Sequence, residues 1–244
     1  MSVVKGRIRA RTDWAPGLWS LVFEAQTLAH EPGQFLNLGL TLGGAPVRRA
    51  YSLASAPGAP LEIFLVRVAD GALTPALYRL GPGDELDVDP RPHGFFTLAH
   101  VPDARDLWLV ATGTGLGPYV AMLRHGAVFD RFERVVLVHG VRTPAELAYR
   151  SELMELEKAR SGFRYLPAVS RAQAEGMLDG RVTACLAQGT LEAAANAELT
   201  PERAHVMLCG DQNMIEEMTQ LLAARGMRKH RKREPGHITL ERYW

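Results

Sequence analysis

Cysteine is scarce in this sequence, and its scarcity excludes two kinds of structural site. The 244 residues contain two cysteines, Cys185 and Cys209, and no Cys-x-x-Cys motif. So few thiolates cannot ligate an iron–sulfur cluster, and a pair so far apart in sequence is not a disulfide framework. We expect no metal centre, a reducing compartment, and a position in the hydrophobic core for Cys185.

An excess of charge of either sign is also absent. Lysine and arginine together number 28, aspartate and glutamate 27, and the formal net charge is +1. General nucleic-acid binding needs a strongly basic surface, so this balance argues against it. The sequence has no apolar run of membrane-spanning length and opens with no signal-peptide pattern. We therefore expect a cytoplasmic monomer that binds neither membranes nor nucleic acids.

The first hundred residues carry short apolar alternations separated by Pro-Gly pairs and other turn residues. Alternation with a period of two is typical of β-strands, and a series of short strands favours a small antiparallel barrel. One short helical pattern covers residues 75–80. The predicted strands cover residues 3–11, 18–25, 35–40, 48–55, 61–68, 85–88 and 95–98.

From residue 107 onwards the pattern changes to strands that alternate with helices. Such alternation predicts a parallel sheet with helices on both faces. The predicted strands cover residues 107–111, 135–139, 163–169 and 205–209, and the predicted helices cover 119–127, 145–160 and 212–225. A polar link at 99–105 precedes this half, so we predict two domains, 1–99 and 100–244.

A glycine-rich turn, Gly113-x-Gly115-x-Gly117-Pro118, joins the first strand of this half to its first helix. Glycines let backbone N–H groups approach an anion, and the N-terminus of a helix favours negative charge. This turn, including Thr114, is therefore predicted to cradle a phosphate. The spacing differs from the usual dinucleotide fingerprint, and an ordinary strand–helix turn is the alternative.

Arginines follow the next strands at points where sheets that prefer NAD usually carry an acid. Arg142 follows the second strand, Ser170 and Arg171 follow the third, and Arg181 lies in the loop beyond it. Carboxyl ends of parallel strands meet at one edge, and clustered guanidinium groups suit a 2′-phosphate. The pattern favours NADP over NAD, although each arginine alone is typical of an ordinary surface.

Arg49, Tyr51 and Ser52 lie close together on a predicted strand of the first half. Arginine suits a phosphate, tyrosine can stack on a ring, and serine can form a hydrogen bond at the edge of that ring. Such a strand can hold a flat, phosphorylated cofactor. The alternative is a strand with a solvated arginine and a half-buried tyrosine.

These motifs, with Cys209-Gly210 and the ending Glu241-Arg-Tyr-Trp, resemble the ferredoxin–NADP⁺ reductase family, especially its enterobacterial type. The resemblance implies an N-terminal antiparallel FAD-binding β-barrel, then a parallel-sheet, Rossmann-like NADP-binding domain whose tail returns to the flavin. One departure is Ala72, where bacterial members commonly have lysine. This departure weakens any expectation of an ion pair there.

The resemblance also implies which residues serve each cofactor. The implied FAD residues are Arg49, Ala50, Tyr51, Ser52, Leu65, Val66, Arg67, Val68, Ala72, Leu73, Thr74, Thr114, Tyr243 and Trp244. The implied NADP residues are Gly113, Thr114, Gly115, Gly117, Arg142, Ser170, Arg171, Arg181, Cys209, Gly210 and Asp211. Catalytic roles are implied for Ser52 and Glu241 at the edge of the flavin ring and for Cys209 beside the nicotinamide.

The implied function is that of an FAD-dependent oxidoreductase. It would exchange a hydride with NADP(H) and single electrons with a small carrier protein, ferredoxin or flavodoxin. The reductase of a multicomponent oxygenase, or a free flavin reductase, shares this core and is an alternative. A non-catalytic flavin- or nucleotide-binding regulatory subunit is another, although such subunits often bind a cluster through several cysteines.

A run of cations without acids covers residues 225–233, shortly before the tail. The dipole of the preceding predicted helix favours cations in its last turn, but this run continues past Gly226. Small electron carriers are generally acidic, and transient electron-transfer contacts depend on charge steering. We therefore predict that an acidic ferredoxin or flavodoxin docks near Arg225, Arg228, Lys229, Arg231, Lys232 and Arg233.

Overall fold

A computed structural model describes the chain from residue 2 to residue 242. The roles predicted for Tyr243 and Trp244 therefore lie outside the described residues. Contacts divide the chain into two compact units, Met1–Leu98 with Gly117–His125 and Ala99–Leu116 with Gly126–Trp244. The domains 1–99 and 100–244 stay a prediction, and the segment after the glycine-rich turn groups with the first unit.

The first unit contains an antiparallel sheet of short strands. Its strands are β1 (Val4–Ala15), β2 (Leu18–Glu24), β3 (Phe35–Leu42), β4 (Ala45–Ser52), β5 (Leu61–Val66) and β6 (Glu85–Val88). They are ordered β4-β3-β6-β1-β2-β5. Leu53, directly after β4, bridges Ile63 in β5 and so joins the two ends of the sheet. The predicted antiparallel barrel is confirmed.

Two helices belong to this unit, α1 (Thr74–Leu77) and α2 (Gly117–His125). All residues of α2 from Gly117 to Leu123 are buried. The Tyr119 ring lies 5.9 Å from the ring of Phe96, between centroids. The burial explains why α2 groups with the barrel residues rather than with the sheet whose first strand precedes it in sequence.

The strand predicted at residues 95–98 is wrong. His93 forms a single bridge to Phe35, and Gly94 then turns the chain with a φ of +103°. Phe95 is consequently 78% exposed, and a short 3₁₀ helix begins at Leu98. A strand needs extended backbone, and the left-handed Gly94 interrupts it directly before the apolar residues.

The second unit contains a parallel sheet. Its strands are β7 (Asp106–Thr112), β8 (Arg134–Val141), β9 (Phe163–Val169), β10 (Leu178–Asp179), β11 (Ala204–Gly210) and β12 (Ile238–Arg242), in the order β10-β9-β8-β7-β11-β12. Its helices are α3 (Ala127–Arg131), α4 (Arg150–Ala159), α5 (Val182–Ala187), α6 (Thr190–Ala195) and α7 (Gln212–Ala223). All neighbouring strands pair in parallel, so the predicted parallel sheet is confirmed.

Two predicted helices differ from the observed ones because the backbone turns left-handed within them. Gly126, at a φ of +89°, ends α2 and begins the separate α3. Tyr149, at a φ of +57°, delays the start of α4, and the residues Pro144–Glu146 form a 3₁₀ turn instead. Cys185 is fully buried on α5, as predicted.

The segment Ile238–Arg242 forms an edge strand, β12, that was not predicted as a strand. It pairs in parallel with β11, in a register that places Glu241 opposite Cys209. Within residues 2–242, no helix is both long enough and apolar enough to cross a membrane.

Candidate functional site

In the first unit, the predicted flavin-binding residues lie on β4 and become more buried along the strand. Arg49 and Ala50 are exposed, Tyr51 is half-buried against the barrel core, and Ser52 is 8% exposed. Burial raises the pKa of the Tyr51 hydroxyl to about 12, against a smaller opposite effect of Arg49. The ring is therefore neutral. The exposed Arg49 guanidinium beside it donates to the Arg48 carbonyl at 2.7 Å and has no carboxylate partner within residues 2–242.

The end of β5 and the loop after it provide a second exposed segment. Val66 and Val68 are 41% and 51% exposed, which is high for valine beside a packed barrel. The Thr74 hydroxyl accepts a hydrogen bond from the Val68 N–H at 3.0 Å and approaches its carbonyl at 3.3 Å. Thr74 therefore holds the loop closed, and its hydroxyl is already bonded to the backbone of Val68.

An ion pair that sequence reasoning missed anchors α2 to the barrel. Arg124, near the end of α2, donates to Glu62 Oε2 at 2.6 Å and to the Ala54 carbonyl at 2.9 Å. The Ala54 N–H donates to the Glu62 carbonyl at 2.8 Å. Arg124 thus fixes the chain directly after Ser52, the residue predicted to act at the flavin edge.

In the second unit, the glycine-rich turn that follows β7 packs tightly against the end of β11. Gly113 has a φ of +52°, and no atom lies within 4 Å of the position where a Cβ would be. A Cβ on Gly115 would overlap the carbonyl oxygen of Cys209 and lie 2.8 Å from the Gly210 Cα. Gly210 has a φ of +136°, and a Cβ on it would lie 2.7 Å from the Thr112 carbonyl oxygen.

This packing leaves an open space over Gly113 and brings the backbones of the turn and of β11 into direct contact. Such a cradle, with no side chain over its first glycine, fits a phosphate or diphosphate approaching the backbone N–H groups. Gly113, Gly115 and Gly210 therefore stay candidates for the predicted nucleotide site.

His139, near the end of β8, contacts the backbone of the glycine-rich turn. Sequence reasoning missed this residue. It is fully buried, and its Nε2 lies 3.3 Å from the Gly113 carbonyl oxygen. Burial lowers its pKa to about 4, an effect only partly opposed by this hydrogen bond and by Glu146. No local motif marks this residue, because its partner lies 26 positions away in sequence.

The predicted 2′-phosphate residues lie at one edge of the sheet. The Ser170 N–H donates to the Val141 carbonyl at 3.0 Å, and the Arg171 N–H donates to the Arg142 carbonyl at 2.9 Å. These bonds hold the chain after β9 beside the chain after β8. Arg181 follows β10, whose Asp179 pairs with Val169 at the end of β9. The side chains of Arg142, Ser170, Arg171 and Arg181 are all exposed.

Arg142 differs from the other two arginines because it already has a carboxylate partner. Its Nε lies 2.8 Å from Glu146 Oε1, and its backbone N–H donates to Glu146 Oε2 at 2.9 Å. Burial opposes ionisation of Glu146, yet the hydrogen bonds and charge of Arg142 keep the pKa of that carboxyl below its ordinary value. Arg171 and Arg181 are therefore the stronger candidates for a phosphate.

Two of the residues with predicted catalytic roles, Cys209 on β11 and Glu241 on the edge strand β12, lie opposite each other in the parallel sheet. Cys209 Sγ lies 4.0 Å from Glu241 Oε2, the longest distance at which a thiol forms a weak hydrogen bond. The adjacent Asp211 is exposed and caps α7 by accepting from the Met214 N–H at 3.1 Å. Ser52 belongs to the first unit. Residues 2–242 contain no group of three or more His, Cys, Asp or Glu side chains placed to hold a metal ion.

Buried histidines make the stability of the chain depend on pH. Burial lowers the pKa of His205 to about 3, and the nearby His230, His237 and Arg131 add to this effect. Since a histidine in the unfolded chain titrates near 6.5, the unfolded state binds protons below that pH that folded His139 and His205 do not. The free energy of unfolding is expected to fall by roughly 3 kcal/mol per histidine as pH drops from about 6.5 to 4.

Urea unfolding at several pH values checks this expectation, with His205→Gln as the comparison. Glutamine can still reach Thr239, whose hydroxyl lies 2.9 Å from His205 Nε2, but it does not titrate. The variant should lose stability less steeply than the parent between pH 6.5 and 4. Equal slopes for the two proteins would contradict the prediction.

A closed antiparallel barrel, followed by a parallel sheet with a glycine-lined cradle, defines a class of two-unit oxidoreductases. The profile of the oxidoreductase NAD-binding domain family matches residues 109–220. Flavodoxin/ferredoxin–NADP reductases of Shigella flexneri and Escherichia coli K12 are 45% and 44% identical to this chain, over 99% of its length and 98% of theirs. The chain belongs to the flavodoxin/ferredoxin–NADP reductase family.

Solved structures agree with this assignment. A ferredoxin NADP⁺ reductase from Neisseria gonorrhoeae with bound FAD and NADP superposes with a TM-score of 0.95 at 31% identity, with both chains fully covered. An Amycolatopsis cytochrome P450 reductase superposes with a TM-score of 0.80 at 27% identity, and the match covers 99% of this chain but 69% of that one.

Proposed function

We propose that this chain is an FAD-dependent oxidoreductase that exchanges a hydride with NADP(H) and single electrons with a ferredoxin or flavodoxin. The observation that carries the proposal is the pair of sites described above, on a chain that matches flavodoxin/ferredoxin–NADP reductases over 99% of its length. Bound flavin supplies the ability to accept two electrons at once and release them singly. The test is NADPH-dependent reduction of cytochrome c, with and without added flavodoxin or ferredoxin.

The first unit would hold the FAD. Exposed Arg49 supplies a cation for a diphosphate, and half-buried Tyr51 supplies a fixed ring on which a flat ring system can stack. Val66 and Val68 offer apolar surface that the folded chain leaves uncovered. The ion pair between Arg124 and Glu62 stabilises the backbone after Ser52, so that its hydroxyl is held for a hydrogen bond at the ring edge.

The second unit would hold NADP(H) along the carboxyl edge of its sheet. The glycine-rich turn would bind the diphosphate through backbone N–H groups, and Arg171 and Arg181 would bind the 2′-phosphate. Cys209 and Gly210 end β11 beside that turn, and a small thiol followed by a glycine allows a flat ring to approach closely. Glu241, opposite Cys209, would hold or pass a proton at its carboxylate.

The alternative functions make different demands on the chain. The Amycolatopsis P450 reductase extends well beyond the part that this chain matches. A regulatory subunit would have no need of an acid beside Cys209, where β12 places Glu241. Rapid reduction of a carrier protein, rather than of free flavin or an oxygenase, would support the proposed function over these alternatives. We also propose that the chain acts as a monomer, which analytical ultracentrifugation tests.

We expect the purified protein to retain FAD and not FMN. Arg49 lies exposed on β4, next to the ring of Tyr51, where the second phosphate and the adenosine of FAD can add contacts that FMN lacks. Heat release of the chromophore followed by mass spectrometry identifies it. Recovery of FMN alone would contradict the assignment of this site.

We propose that the carrier docks on the basic segment, defined as residues 228–233. Arg228, Lys229, Arg231, Lys232 and Arg233 are exposed. Glu234 approaches Arg228 and Arg231 at 3.9 Å, but these are exposed pairs of little energetic weight. Arg225 contributes less, because it is half-buried and donates to Glu192 at 2.7 Å and to the Leu186 carbonyl at 3.3 Å.

Reversing two charges of the basic segment, with Arg231→Glu and Lys232→Glu, should slow carrier reduction roughly tenfold at low salt. The effect should shrink as ionic strength rises, because salt screens exposed charges. Reduction of ferricyanide, which needs no docked protein, should stay near normal. Stopped-flow reduction of an acidic flavodoxin measures the first effect.

Lys158→Glu with Arg160→Glu provides a matched control, since both residues are exposed and the change in net charge is the same. This control should leave carrier reduction nearly unchanged. If the control slows the carrier equally, only net charge matters. If the basic-segment variant also loses ferricyanide reduction, the segment supports the fold or the flavin, and the docking proposal falls.

A further inference from the structure

His139 is buried where β8 meets the glycine-rich turn of the second unit. Along β8, Val136 and Val138 belong to the same core cluster as Val182 on α5, and a Cβ on Gly140 would lie 2.8 Å from that valine. Side chains alternate along a strand, so His139 faces the opposite side of the sheet. There it reaches the Gly113 carbonyl at 3.3 Å from Nε2.

The hydrogen-bond chemistry determines which form of the ring is present. A carbonyl oxygen only accepts, so Nε2 must carry the proton that it donates to Gly113. Nδ1 has no hydrogen-bond partner within the described chain, as expected for a bare ring nitrogen in an apolar environment. A neutral ring with its proton on Nε2 satisfies the geometry, and the lowered pKa of His139 agrees with it.

Gly113 is the residue whose conformation opens the turn, with a φ of +52° and free space above it. The carbonyl of that residue is the only group of the turn that His139 is seen to hold within residues 2–242. Gly113 also opens the 3₁₀ helix Gly113–Leu116. Without His139 its carbonyl would lose its side-chain donor, and the peptide after Gly113 could rotate to find another partner. The N–H groups that follow it would then no longer point at one anion.

We propose that His139 is a positioning residue that holds the Gly113 carbonyl and thereby keeps the glycine-rich turn in its anion-binding conformation. The proposal rests on the proposed function, because it assigns the diphosphate of NADP(H) to that turn. His139 does not touch the nucleotide in this scheme. It acts through the backbone, and its effect should be confined to ligands that carry a diphosphate.

Calorimetric titration of the oxidised holoprotein separates this role from a structural one. Two ligands are compared: NADP⁺, which has the diphosphate, and 2′-phospho-AMP, which keeps the 2′-phosphate but lacks it. His139→Leu should weaken NADP⁺ binding about tenfold and leave 2′-phospho-AMP within about twofold of the parent. His139→Gln, whose amide nitrogen can reach the position of Nε2, should restore most of the NADP⁺ affinity.

Controls distinguish the failure of this inference from the failure of the proposed function. Arg171→Ala should weaken both ligands, whereas His205→Leu, at a buried histidine on the opposite end of the sheet, should weaken neither. If the parent binds neither ligand, the proposed function is wrong. If the parent binds NADP⁺ and His139→Leu binds it equally well, or weakens both ligands alike, then His139 has no positioning role.

A variant at the turn itself keeps the test decisive if His139→Leu does not fold. Gly113→Ala places a methyl group in open space and strains only the left-handed backbone. It should weaken NADP⁺ and spare 2′-phospho-AMP, as His139→Leu does. Combined with His139→Gln, which by itself keeps most of the NADP⁺ affinity, it should bind NADP⁺ about as well as Gly113→Ala alone. Unchanged NADP⁺ binding in Gly113→Ala would overturn the proposal.

Discussion

Gly115→Ala is expected to abolish tight NADPH binding and to lower the stability of the chain by about 3 kcal/mol. The added methyl would overlap the carbonyl of Cys209 and lie 2.8 Å from the Cα of Gly210, so the backbone of either β11 or the turn must shift. Both are parts of the proposed nucleotide site. The Michaelis constant for NADPH should therefore rise by roughly a hundredfold, an effect of about 2.7 kcal/mol on binding.

Thermal unfolding and steady-state kinetics check this prediction together. Gly81→Ala is the matched control, because no atom lies within 4 Å of its Cβ position and its φ is not left-handed. That variant should differ little from the parent in either measurement. A Gly115→Ala protein with unchanged stability and unchanged NADPH kinetics would show that the turn adapts freely, which would remove the steric basis of the cradle.

Arg171→Ala is expected to raise the Michaelis constant for NADPH ten- to hundredfold while leaving NADH kinetics nearly unchanged. A charge-assisted hydrogen bond to a phosphate contributes about 1.5–3 kcal/mol. Arg171 is exposed and held by its backbone beside Arg142. Within residues 2–242 it has no carboxylate partner, whereas Arg142 is paired with Glu146. NADH lacks the 2′-phosphate and so gains nothing from this guanidinium.

The comparison of the two coenzymes is itself the control for folding. An exposed arginine elsewhere in the second unit, Arg160, provides a further one, since Arg160→Ala should affect neither coenzyme. Equal losses with NADPH and NADH in Arg171→Ala would mean that the side chain supports the loop and not the phosphate. The assignment of NADP specificity would then have to rest on Arg181.

The parts of the fold that were predictable are those with strong local patterns. The strand Asp106–Thr112 was expected at 107–111, within one residue of its observed bounds, because a buried parallel strand is a continuous apolar run between turn residues. Strand β12 was missed because it is an edge strand of five residues, too short for the alternation of Ile238 and Leu240 with polar residues to stand out. The false strand at 95–98 had the apolar residues, but Gly94 turns the chain left-handed directly before them.

The site residues likewise divide into those that belong to local motifs and those whose partners are distant in sequence. Arg49, Gly113 and Arg171 belong to short motifs whose chemistry is visible in a few consecutive residues. His139 and Arg124 act on backbone carbonyls 26 and 70 positions away, so no local pattern contains both partners. Their roles follow only once the chain has brought the partners together.

The first unit is discontinuous, because α2 comes from beyond residues that belong to the second unit. A polypeptide cut at residue 99 would lack Arg124 and the buried face of α2, and Glu62 would lose the guanidinium that neutralises it. During synthesis, the barrel cannot be completed until residue 125 has left the ribosome, by which time β7 has also been made. Exchange of modules between such chains is therefore expected to fail at the apparent boundary near residue 99, which separates α2 from the barrel. A junction after Gly126 should fail as well, because it separates β7 from β8 and β11 in the parallel sheet.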